Sequence, residues 1–269
     1  MLKDYLRRSR APRYSVVSAA PLLMLYELLS AALSGSAVAG VRNGADVLLK
    51  SLFVALGGRD GLVVFGVLLC GAGAAIVWRD LRRSGEPLRA AVFAWMLAES
   101  AVYAAVFGTV VGSLTALLLE GPRALSAGGA VALAAGLDQA GGATAALVMG
   151  VGTSGAAALD LHTQLVVSLG AGIYEELLFR VVLVGAMLWI ARRLGMGRVA
   201  AGVLAVLLSA LVFSAFHYVG ALGDTFTVQS FAFRAIAGVA FSALYVVRGF
   251  GITAWTHALY DLGLALLQG

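Results

Sequence analysis

"AGIYEELLFRVVLVGA", residues 171–186, places two adjacent glutamates and an arginine inside an otherwise apolar run. In a water-soluble domain such a run would be a buried core helix. The rest of the chain argues for lipid instead. Of 269 residues, 61% are hydrophobic and 12% charged, where soluble domains are about half apolar and about a quarter charged. No long polar stretch could fold separately, so one membrane domain over 1–269 is expected, with N-terminal helices over 1–141 and a helical core over 142–269. The fold class is all-α, a polytopic transmembrane bundle of about 7–9 helical elements, because about 20 apolar residues span a bilayer as a helix. Candidate spans are 14–35, 61–78, 90–118, 161–191, 198–219, 229–247 and 251–267. Residues 45–57 read as an interfacial helix or short span. Residues 142–159, rich in Ala, Gly, Ser and Thr, read as a span or re-entrant piece. The runs are continuous, without the period-two alternation of a β-barrel.

The net charge of +5 is no sign of a nucleic-acid partner, because the basic residues cluster at the ends of apolar runs. Arginines in 7–13, in "RDLRRSGEPLR" (79–89) and in "ARRLGMGR" (191–198) mark loops on the cytoplasmic side by the positive-inside rule. The stretch 119–141 is then expected outside. The basic N-terminus followed by a long apolar run reads as a retained first helix with a cytoplasmic N-terminus. One cysteine, Cys70, excludes an internal disulfide framework. "RGFG" (248–251) reads as a tight turn between the last two spans.

Charges within a span are rare and mark function by default. In "EELLFR" (175–180), Glu176 and Arg180 are four apart and share a helical face, so they can neutralise one another. Glu175 is turned about 100° away and has no partner on its own helix, so it is the group free for chemistry. In "FSAFH" (213–217), Phe213 lies one turn before His217. In "HALYD" (257–261), His257 and Asp261 are one turn apart, and an acid there can fix a histidine tautomer. All of these could equally be structural contacts between helices. Converging in one cavity among the C-terminal helices, they would form a hydrolase site in which a carboxylate and a histidine activate water and the other histidine steadies an oxyanion. Such a site needs no cofactor. Zinc, held by His and Glu or Asp, is the rival chemistry, although no H-E-x-x-H occurs. Arg234 is expected to pair with a carboxylate of the site. Glu27 and Glu99 read as helix contacts or an access path, and His162 as interfacial.

The three motifs resemble E-E-x-x-x-R, F-x-x-x-H and H-x-x-x-N/D of the CPBP family of intramembrane proteases. That family includes the type II CAAX prenyl endopeptidases and the bacterial Abi-type proteins. The resemblance covers roughly 160–267. It implies an intramembrane endopeptidase in which Glu175 and His217 activate water and His257 and Asp261 correspond to the oxyanion hole. Glu176, Arg180 and Phe213 would support them. Asp261 stands where the prenyl proteases tend to have asparagine. An ionised aspartate only accepts hydrogen bonds, so its expected task is orienting His257 and stabilising its charged form. The expected partners are membrane lipid and a membrane-associated peptide or protein, in a bacterial inner membrane. Rival readings are a non-catalytic immunity or scaffold protein and a proton-coupled transporter. The lack of internal repeats speaks against the transporter.

One tension is geometric. Counted from 198, His217 lies about 28 Å along its helix, whereas His257 lies about 9 Å from 251.

Overall fold

The computed structural model describes residues 2–33, 42–121, 161–219 and 223–268. The segments 119–141 and 142–159 fall almost wholly outside these. Among the described residues the chain forms nine helices and no strands. They are α1 (Leu2–Ser9), α2 (Pro12–Leu33), α3 (Gly44–Gly57), α4 (Asp60–Ser84), α5 (Ala90–Glu120), α6 (161–193), α7 (Arg198–Phe216), α8 (Val228–Arg248) and α9 (Phe250–Gln268).

Large apolar side chains face outward and charged ones face inward, the reverse of a soluble protein. Val199 is 81% exposed, while Arg180 is 1% and Glu176 0% exposed. Five helices are long and apolar enough to cross a membrane: α2, α4, α5 (over Ala90–Leu119), α7 and α8. The remaining two candidate spans became α6 and α9, the helices that carry "EELLFR" and "HALYD". Charge on both lowers their apolar character, and α6 is not a uniform α-helix. The protein is an integral membrane protein.

Helix α9 is the hub, packing on α2, α5, α6 and α8. Its start is set by Gly249, the one residue between α8 and α9, at φ 86°. This is the reversal expected of "RGFG". A side chain would make that φ costly. At the same end, Arg248 donates to Glu99 of α5 and to Ser9 of α1. Arg8 bonds Glu86, and Arg13 pairs with Asp80 at 2.8 Å. The N-terminus, the α4–α5 loop and the α8–α9 turn are thus tied together at one end. α3 has 14 residues, about 21 Å of helix, too short for a core of about 30 Å. It packs against α4 and α6.

Candidate active site

Helix α6 is wound in an unusual way where the charges lie. It is α-helical over Leu161–Gly170, π-helical over Ala171–Glu175 and Leu177–Val184, and α-helical again over Gly185–Arg193. In π turns each backbone bond spans one residue more, and such turns concentrate at functional sites. The 3.6-residue period assumed for "EELLFR" therefore does not hold here. The division of the two glutamates survives because their partners lie on different helices.

Glu176 faces α9. Its Oε1 lies 2.7 Å from Nδ1 of His257 and 3.2 Å from Nη1 of Arg180. The Glu176–Arg180 pair expected from spacing is present, and the same oxygen also holds His257. The Arg180 contact is an ion pair without hydrogen-bond alignment, and no guanidinium nitrogen of Arg180 has an aligned hydrogen-bond partner. Aromatic rings surround that cation instead, with Phe213 4.5 Å and Phe241 5.3 Å from Cζ, distances at which cation–π attraction operates. Phe241 also stacks on the His257 ring at 4.3 Å.

Asp261 is near His257, as the i, i+4 spacing expects, but at 3.5 Å and on the Nε2 side. The close partner of His257 is Glu176. Expectation and geometry differ because Asp261 sits on the same helix as the ring, whereas α6 approaches Nδ1 from outside.

Glu175 is 2% exposed and faces α3. Nδ2 of Asn43 donates to its Oε1 at 2.9 Å. It also lies within electrostatic range of His217 and His257. His217 caps the C-terminal end of α7. Its Nδ1 is 2.8 Å from the carbonyl oxygen of Phe213. A carbonyl only accepts, so Nδ1 carries the hydrogen, and Nε2 of the neutral ring is a bare acceptor. The Phe213 ring lies 4.9 Å from the His217 ring and 6.4 Å from that of His257. All seven residues singled out in the sequence thus gather in one region. The site is reached after about 22 Å of α7, at Phe213, and after about 10 Å of α9, at His257.

Two expectations need correcting. Arg234 does not pair with a site carboxylate: it bonds Asp224, Tyr218 Oη at 2.8 Å and Ser230 Oγ at 2.5 Å. Burial holds the Asp224 carboxyl, in the loop before α8, above its ordinary value. Nor is the site confined to the C-terminal helices, because Asn43 reaches it from α3. Asn43 is the N-cap of α3, and nothing local in the sequence showed that it would meet a residue 132 positions away. Glu27 joins α2 to Lys50 of α3 at 2.7 Å and to Tyr174 at 2.5 Å. Glu99 joins α5 to Arg248 and to Tyr5. His162 is exposed. Among the described residues no group of three His, Cys, Asp or Glu side chains is arranged to hold a metal ion.

No curated protein and no solved structure matches the chain. Residues 157–263 match the family model described as Rce1-like, type II CAAX prenyl endopeptidase Rce1-like. This range contains every residue of the candidate site except Asn43. Residues 157–263 of the chain are thus similar to the Rce1-like type II CAAX prenyl endopeptidases, a family of peptidases.

Proposed function

We propose that the protein is an intramembrane endopeptidase that hydrolyses a peptide bond of a membrane-associated protein or peptide with glutamate-activated water. One observation carries this reading. Glu175 is buried and held by a neutral amide, while its neighbour Glu176 takes Arg180 and His257. A buried carboxylate without a cation of its own is costly in an apolar bundle, and a base is the use that repays it.

Glu175, aided by Nε2 of His217, takes a proton from water. The hydroxide oxygen bonds to the peptide carbonyl carbon, and the carbonyl π pair moves onto its oxygen. Nε2–H of His257, held as an imidazolium between Glu176 and Asp261, donates to that oxyanion. Collapse breaks the C–N bond, and the proton on Glu175 passes to the leaving amine. Asp261 and Glu176 orient His257, and Arg180 holds Glu176 in place. The N-terminus, tied to the arginine-rich α4–α5 loop, faces the cytoplasm of a bacterial inner membrane. The mechanism uses no cofactor.

The test is cleavage in proteoliposomes of membrane peptides, including a prenylated C-a-a-X peptide. Loss of a general base or its partner costs about 10²–10⁴-fold, so Glu175→Gln and His217→Ala should each fall at least a hundredfold. Equal product from wild type and both variants defeats the proposal. Activity that vanishes with a strong chelator and returns with zinc would transfer the mechanism to a metal.

A further inference from the structure

We propose that Asn43, outside the family-matched region, is a positioning residue that aims the Glu175 carboxylate. The inference rests on the reading of Glu175 as the base. Asn43 is 0% exposed. It is the N-cap of α3, with Oδ1 accepting the Ala45 backbone N–H at 2.9 Å. That bond fixes which end of the amide is oxygen. Nδ2 is therefore the atom turned to Glu175 Oε1, at 2.9 Å.

The cap is itself held from two sides. The Asn43 backbone N–H donates to Tyr26 Oη of α2 at 3.2 Å, and Tyr26 donates to Asp46 Oδ2 at 2.8 Å. Asp46 also pairs with Arg42 at 2.8 Å and Lys50 at 2.7 Å. Lys50 bonds Glu27, which accepts from Tyr174 Oη, the residue before Glu175. The first turn of α3 is thus locked to α2 and α6, and Asn43 has little freedom to move its donor.

The chemistry suits a base. A lysine or arginine here would form an ion pair with Glu175 and weaken its basicity. A neutral amide occupies one carboxylate oxygen and leaves the charge available for water at the other. The charged and titratable groups that share the field of Glu175 are Glu176 and Arg180 on α6, His217 on α7, and His257 and Asp261 on α9.

The two roles of Asn43 separate by substitution. Serine and aspartate are both good N-caps, and neither presents the amide donor. In the proteoliposome assay Asn43→Ser should lower kcat about tenfold, the scale of one hydrogen bond to a charged group, with KM and the melting temperature near wild type. Asn43→Asp should lower kcat and move the acid limb of kcat/KM to higher pH, because a second carboxylate opposes ionisation of the first. Wild-type kcat and pH profile in both, with only Asn43→Ala melting lower, would make Asn43 a cap and nothing more. Infrared titration of the Glu175 carboxylate band, assigned with Glu175→Gln, separates this outcome from failure of the protease reading. A band shifted in pH by Asn43→Asp supports the positioning role even if Glu175→Gln cleaves normally. An unmoved band overturns it even in an active enzyme.

Discussion

Glu176 and His257 meet at 2.7 Å across 81 residues of chain, carboxylate oxygen to Nδ1, in a site where both are buried. This contact joins the first and third motifs. It gives Glu176 two duties, since the oxygen that fixes His257 also faces Arg180 at 3.2 Å. The three residues form a chain of cation, carboxylate and imidazole, with Phe213 and Phe241 covering the cation. Glu175 is left out of that chain and accepts from Asn43 instead.

Breaking such a buried pair from one side leaves a bare charge, which costs about 3–5 kcal/mol. Glu176→Gln preserves an acceptor for His257 Nδ1–H but strands Arg180. It should destabilise the protein by that order in detergent melts. Arg180→Met should cost less, because His257 still partners Glu176. The double variant should be markedly more stable than the sum of the single effects. Additive losses would show that Glu176 and Arg180 are not energetically coupled.

Helix α6 approaches α9 through Gly172. A Cβ there would lie 2.6 Å from the Ala254 carbonyl oxygen and 2.6 Å from Ala258 Cβ, and neither atom can move without shifting α9. Gly172→Ala should therefore cost about 1–3 kcal/mol, the usual range for overpacking. It should also lower cleavage, since Glu175 lies three residues on and His257 beside Ala258. A variant melting and cleaving like wild type would mean that α6 and α9 slide freely.

The membrane bundle was legible in the sequence because lipid imposes a crude rule: long apolar runs become spans. The site residues were legible because charge in lipid is rare enough for each instance to count. Three things escaped. The π winding of α6 has no period that a residue pattern announces. Asn43 is a neutral residue in a loop–helix junction, so neither charge nor hydropathy singled it out. The bond between Glu176 and His257 was hidden by a plausible local partner for each, Arg180 and Asp261. Spacing along one helix reveals neighbours on that helix, and here the closest contacts run between helices.

Cys70 reports on the lipid face. It is exposed on α4, a helix whose apolar stretch is only 11% buried within the protein. Thiols react as thiolates, and a lipid-facing thiol has no water to ionise in. In intact membranes Cys70 should resist a charged maleimide and be modified after denaturation. A cysteine placed at Arg83, exposed in the last turn of α4, should react at once. Rapid labelling of Cys70 without denaturation would take α4 out of the bilayer.

The N-terminal helix gives a pH prediction with a definite sign. Hydrogen bonds from Arg7, then Arg8, hold the Asp4 carboxyl well below its ordinary value, at about 2. A lowered folded value means that the stabilisation is complete above the unfolded value and is lost as pH falls through the folded one. The Asp4 contacts should therefore be unchanged between pH 8 and pH 5 and fail only from about pH 4 down to about 2. Arg248 would keep its hydrogen bond to the Ser9 hydroxyl, so α1 should loosen without leaving the body. Protease protection of the α1–α2 junction, with an acid-active protease at low pH and trypsin near neutrality, reads this directly. Protection already falling at pH 6 would mean that a different group holds α1, and Asp4→Asn should mimic the acid state at neutral pH.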